Sequence, residues 1–151
     1  MLRYHHDIDF LTLNLFVLRD EICASFREWG CQSRVLANGD VGVDTQGVKL
    51  HLGHIEPYDA SNKHTVWIHN QPNGRLIFPS DWLLAQPVPF CGAVVHVGAP
   101  EFEYVLKHAP QLLNPAWQLR EKDREARQQL EFMLHKRYPQ PQLLIKLVES
   151  L

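Results

Sequence analysis

Arg3-Tyr4-His5-His6-Asp7-Ile8-Asp9-Phe10 is the stretch on which the reading of this chain turns. Two aspartates alternate with the apolar Ile8 and Phe10, a strand pattern. Residues i and i+2 of a strand project to the same face, so Asp7 and Asp9 should project together. Neighbouring carboxylates repel unless a cation, a proton or a basic side chain lies between them. Their hard oxygens suit Mg²⁺ carried on a phosphate substrate. Asp7 and Asp9 are therefore the candidate metal ligands.

Outward from there, the first strand covers roughly 6–12. Asn14 is the expected N-cap of a helix in which Leu15, Leu18, Ile22, Phe26 and Trp29 recur at spacings of three and four, and which Gly30 ends. A meander of antiparallel strands follows. Ser33–Leu36 leads to the turn Ala37-Asn38-Gly39-Asp40, and Val41–Asp44 leads to Thr45-Gln46-Gly47. The next strand, Val48–Ile55, places Val48, Leu50 and Leu52 on one side and Lys49, His51 and Gly53 on the other. More strands are expected at 64–69, 75–78 and 90–97, with a turn at Pro72-Asn73-Gly74 and a short helical turn at Trp82-Leu83-Leu84.

From Pro100 onward the pattern is helical. Glu101–Ala109 should stop at Pro110. Asn114 and Pro115 should cap and start a longer helix that carries Leu119, Ala126, Leu130, Met133 and Leu134 and ends near Tyr138-Pro139. Its charges, with Arg120, Arg124 and Arg127 interleaved with Glu121, Asp123 and Glu125, read as a solvated face with i,i+4 pairs. A last stripe, Leu143, Leu144, Leu147, Val148 and Leu151, is too short to stand alone. It should pack on the rest of the chain or, as second choice, on another copy in a homodimer. Strands first and helices last predict an α+β fold, a mixed or mostly antiparallel sheet with helices packed on one face. One domain is expected over 1–151, sheet-rich to about residue 99 and helical from 100 to 151.

Composition narrows the classes. Fifteen basic residues against seventeen acidic ones, a net charge of −2, argue against a nucleic-acid partner. Without a secretory leader or an apolar run of roughly 18 residues, no membrane partner is expected, and a cytoplasmic location is the default. Cys23, Cys31 and Cys91 form no CxxC pair. The nine histidines include His5, His6, His51, His54, His64 and His69. Zinc needs roughly three or four converging ligands, and His51 and His54 face opposite sides of one strand, so hydrogen-bonded or solvated histidines are the expectation. Trp29, Trp67, Trp82 and Trp117 read as core or interface, with Trp67 and Trp82 as the alternatives for a pocket wall.

Several segments together resemble the nucleotidyltransferase superfamily with the DNA polymerase beta fold, and within it the aminoglycoside and lincosamide branch. Arg3-Tyr4-His5-His6-Asp7-Ile8-Asp9 resembles that branch's Arg-x-His-x-Asp-Ile-Asp strand. The helix, hairpin and Val48–Ile55 strand come in the family's order. Pro100-Glu101-Phe102-Glu103-Tyr104-Val105-Leu106-Lys107 and Arg120-Glu121-Lys122-Asp123 resemble its closing helices. The resemblance implies Mg²⁺ bound with ATP or another nucleoside triphosphate at Asp7 and Asp9. It implies transfer of a nucleoside monophosphate to a hydroxyl of a small molecule such as an antibiotic, and phosphate contacts from Lys107 and Lys122. The family's third carboxylate falls within Val48–Ile55, where His51 is the best positional match, as a base or metal ligand. Asp40, Asp44 and Glu56 are the nearby alternatives. The family's Gly-Gly or Gly-Ser turn before the acidic strand has no counterpart here, which gives the expectation of a chain shortened at its N-terminus. The alternative function is a catalytically inactive binding or interaction protein of the same fold, in homodimeric form.

Overall fold

The computed structural model describes residues 7–61, 63–68, 75–83, 87–90 and 92–149. Arg3, Tyr4, His5, His6, His69, the turn Pro72-Asn73-Gly74, Leu84, Cys91 and Leu151 lie outside the described residues, as does the Trp67 side chain. The fold is α+β, built on a mixed sheet. The first strand, β1 (Asp7–Leu13), runs parallel to β4 (Val48–Pro57), with Asp7 beside Lys49 and Asp9 beside His51. Parallel neighbours need a crossover. It consists of α1 (Leu15–Glu28), β2 (Gln32–Val35) and β3 (Val41–Thr45). The β2–β3 and β3–β4 pairs are antiparallel, as the meander reading expects. β5 (His64–Ile68) and β6 (Arg75–Pro79) continue the strand order as β2-β3-β4-β5-β6, with β1 on β4.

Where one strand is expected over 90–97, the chain forms a separate antiparallel hairpin, β7 (Pro87–Phe90) and β8 (Ala93–His96). Gly92, at φ 82, supplies a backbone conformation that breaks a continuous strand.

The chain divides into two compact units. One comprises Met1–Glu56 with Trp67–Arg75, and the other Pro57–Val66 with Leu76–Leu151. In the first unit, Leu15 and Cys23 of α1 are buried against Val41, Val43 and Leu52, and Ile22, Phe26, Cys31 and Leu50 pack around them. Of the expected stripe, Leu18 and Trp29 are exposed. Asn14 does occupy the N-cap, but in the left-handed region (φ 58) and without a side-chain cap bond. Its carbonyl instead accepts the Val17 and Leu18 N–H groups. At the other end, Gly30 (φ 79) donates to Arg27, and Cys31 donates to the Phe26 carbonyl. This 5→2 and 6→1 pair is the Schellman closure that a glycine at this position permits.

In the second unit, α2 (Pro100–Leu113) runs through Pro110 rather than stopping there. An interior proline costs ~3 kcal/mol. The buried face of Phe102, Tyr104, Val105 and Ala109 offsets that. The next helix, α3 (Glu121–Leu134), begins later than Asn114-Pro115. Asn114 instead closes a turn, its side-chain oxygen accepting the Ala116 N–H and its carbonyl accepting the Trp117 N–H. Met133, expected on the packed stripe, is exposed, while Leu134 is buried. α4 (Leu143–Glu149) packs on α2 through the buried Leu144 and Val148. Trp82 is buried at a short 3₁₀ turn, Ser80–Trp82, whereas Trp29 and Trp117 are exposed. Among the described residues, no helix is long and apolar enough to cross a membrane.

Candidate functional site

The tight turn between β3 and β4 sets the geometry of the site. Gln46 and Gly47 both have positive φ (45 and 85), the twist that suits a two-residue hairpin turn. Thr45 therefore opposes Val48, and counting back puts Asp44 opposite Lys49 and Gly42 opposite His51. β4 thus lays Lys49 between Asp7 of β1 and Asp44 of β3, and His51 between Asp9 and Gly42. Glycine puts no side chain beside the imidazole. Asp40, two residues earlier on β3's approach, is the diagonal neighbour and reaches across.

His51 sits between two carboxylates. Its Nδ1 lies 3.2 Å from Asp9 Oδ1, and its Nε2 lies 3.0 Å from Asp40 Oδ2. A neutral imidazole carries only one N–H, so one nitrogen would face a carboxylate lone pair to lone pair. Both nitrogens act as donors when the ring is an imidazolium. The two carboxylates, Asp40 foremost and Asp9 second, outweigh the partial burial of the ring and push the His51 pKa up to about 9. In this state His51 is a two-way donor that orients Asp9, with no free lone pair for a proton or a metal.

The two acids differ in setting. The Asp9 side chain is 76% exposed and that of Asp40 only 4%. A buried carboxylate is costly unless its lone pairs are taken. Asp40 Oδ1 accepts the His54 backbone N–H, and Oδ2 accepts from both His51 and the Asn38 amide. Asp40's own N–H donates back to Asn38 Oδ1 (3.3 Å). Gly39, at φ 87, carries the chain between them, and a Cβ there would lie 2.9 Å from Phe16 Cε1 of α1. The His54 ring stacks on that Phe16 at 3.9 Å. The Asn-Gly turn, read in the sequence only as a hairpin signal, therefore also seats the buried acid behind His51.

The other candidates fall elsewhere. Lys107 of α2 and Lys122 of α3 lie in the second unit, near Asp123. Burial raises the Asp123 carboxyl, but the Arg120 hydrogen bond and the charges of Arg120, Lys107 and Lys122 outweigh it and leave it below its ordinary value. The Lys107 carbonyl also accepts both Nε and Nη2 of Arg127 (3.1 and 2.7 Å). The helix charges pair at i,i+3, Arg120 with Asp123 and Glu121 with Arg124, rather than at i,i+4. Of the histidines, His64 hydrogen-bonds Asp59 (3.1 Å) and His54 lies near Glu56, so each has its own partner. Among the described residues, no group of three or more His, Cys, Asp or Glu side chains is arranged to hold a metal ion by itself.

Asp7 and Asp9 do fit Mg²⁺ in donor chemistry. Magnesium is usually held by one or two carboxylates, with water and substrate phosphates completing its shell. Both side chains are exposed on one strand. A carboxylate has lone pairs beyond the one Asp9 gives to His51. No third carboxylate stands directly opposite them on β4, where Lys49 and His51 lie.

The chain has a nucleotidyltransferase-like fold. The particular likeness is to a solved structure, the solution structure of the antibiotic-resistance factor ANT(2'')-Ia, an aminoglycoside nucleotidyltransferase. It extends over 99% of this chain and 74% of that chain, with 16% identity and a TM-score of 0.53. No protein-family model and no curated protein matches the sequence.

Proposed function

We propose that this protein is a nucleotidyltransferase that passes a nucleoside monophosphate from a magnesium-bound nucleoside triphosphate to a hydroxyl of a small molecule, with antibiotics the first class to try. One observation carries the reading: on a nucleotidyltransferase-like fold, two exposed aspartates project from β1 beside a hydrogen-bonded residue of β4. The acceptor oxygen forms a bond to the α-phosphorus as the bond to pyrophosphate breaks, and the hydroxyl proton passes to water or to His51 in its neutral state.

Asp7 and Asp9 would hold the metal ion, which when bound neutralises charge on the phosphate oxygens and keeps attack and departure in line. The chain's own work is to present those two carboxylates in a fixed orientation. His51 does so for Asp9, keeping a proton on Nδ1 directed at Oδ1. In the imidazolium state it serves as an orienting donor, and it becomes a base only after losing a proton.

The test is transfer itself. Purified protein is incubated with Mg²⁺, each labelled nucleoside triphosphate, and a panel of aminoglycosides and lincosamides. A labelled adduct formed by the wild type and lost in Asp9→Asn supports the proposal. No adduct with any pair ends it for those acceptors.

A further inference from the structure

Asp40 belongs to no motif that marks the site, yet it is the most deeply built of the residues around His51. Its side chain is 4% exposed. Three donors converge on its two oxygens: the His54 backbone N–H, the Asn38 amide and His51 Nε2. Gly39 and Phe16 fix the turn that carries it. Rotating the His51 ring away from Asp9 would break the 3.0 Å bond to Asp40 and leave a buried carboxylate oxygen with one partner fewer. That loss costs more than the same loss in water.

We propose that Asp40 is a positioning residue: it locks the His51 ring so that Nδ1–H is directed at Asp9, and thereby fixes the orientation of the Asp9 carboxylate. The inference rests on the nucleotidyltransferase reading for its consequence, but the arrangement itself stands on the geometry. The order of action runs from the inside outward, from Asn38 and Gly39 to Asp40, then to His51 and to Asp9. Outer partners of metal ligands typically change affinity or activity by about 10–100-fold when removed.

Two readouts test it, one without turnover. In the metal-free protein, the ring N–H signals of His51 are recorded by NMR for wild type, Asp40→Asn and Asn38→Ala, with melting curves to confirm folding. The wild type should show a protected Nδ1–H, lost in Asp40→Asn and weakened in Asn38→Ala. In transfer assays on protein shown to be folded by its melting curve, Asp40→Asn should lower kcat by about 10–100-fold while KM for the nucleotide stays within about twofold. An unchanged Nδ1–H signal in folded Asp40→Asn overturns the proposal. Should that variant not fold, an unchanged signal in Asn38→Ala does so. A wild type that binds nucleotide but transfers nothing, with the ring signals behaving as stated, ends the enzymatic reading and leaves the positioning role standing.

Discussion

Two buried carboxylates, Asp40 in the first unit and Asp123 in the second, each hold a basic side chain, and the contrast between them is instructive. Asp123 takes Arg120 from three residues earlier, and Arg120, Lys107 and Lys122 all act on its charge. Arginine stays protonated at any working pH, so this pair is permanent. Asp40 takes His51 across a strand pair, and beyond the ring lies a second, exposed acid. That pair depends on a proton. The helix pair secures a terminus, whereas the sheet pair passes an orientation from the interior to the surface. The difference lies in reach: Arg120 and Asp123 are three residues apart at one helix start, whereas His51 links Asp40 to Asp9 across three strand segments.

The largest effect that can break this contrast is on transfer. Asp9→Asn removes a metal donor worth several kcal/mol, so transfer should fall by about a thousandfold or more at roughly tenfold per 1.36 kcal/mol. The melting temperature should barely move, because the Asp9 side chain is largely exposed. Asp123→Asn should leave kcat within about twofold under the same reading. A comparable loss of kcat in both variants would erase the distinction.

Stability sharpens it next. Asp40→Ala strands the His54 N–H and the Asn38 amide and should cost about 1–3 kcal/mol. Asp123→Ala releases the mostly exposed Arg120 to water and should cost only about 0.5–1 kcal/mol. Urea melts of the two variants give the ordering directly, and a reversed order contradicts it.

Comparable in size is the effect of the turn. Gly39→Ala meets both a left-handed backbone and Phe16, so it should cost more than the about 1–2 kcal/mol set by conformation alone. Gly47→Ala, at φ 85 with open space around its Cβ, should cost only that conformational amount. Equal costs would mean that the Gly39 turn does not press on α1.

The pH dependence is the most delicate. The folded His51 pKa, about 9, lies above the unfolded value of 6.5. The folded state thus binds the proton more tightly, and the stabilisation is fully present below pH 6.5. It fades as pH rises and is lost through about 9. In the metal-free protein, the stability gap between wild type and His51→Gln should close over that window. The gap for Arg120→Gln should stay flat. A His51 gap that does not narrow would contradict a ring protonated between two carboxylates.

Much of the fold was legible in the chain, since periodicity of two and of 3.6 read out directly. Asn38-Gly39 and Gln46-Gly47 punctuated the meander, and Gly30 closed α1. The two departures among the helices have different causes, tertiary burial at Pro110 and local turn chemistry at Asn114. Pro110 should have ended α2, but the buried Phe102, Tyr104, Val105 and Ala109 before it hold the helix in place. Pro115 should have started α3, but Asn114 spends its side chain on a turn. In the site, Asp7, Asp9 and His51 were readable by alternation. Position along β4 alone makes Asp40 no more than a nearby acid. Register brings it in: a two-residue turn at Gln46-Gly47 sets Gly42 against His51 and makes Asp40 its diagonal partner. The burial that makes Asp40 matter could not be read from spacing.

Under the proposed function, Asp7 and Asp9 of β1 form part of a metal–nucleotide site. Calorimetric titration of the wild type with ATP, with and without Mg²⁺, tests it most directly when repeated on Asp7→Asn and Asp9→Asn. Saturable binding that requires Mg²⁺ and disappears in both variants is the expected result. Binding that ignores the metal, or that survives in both variants, would contradict the claim.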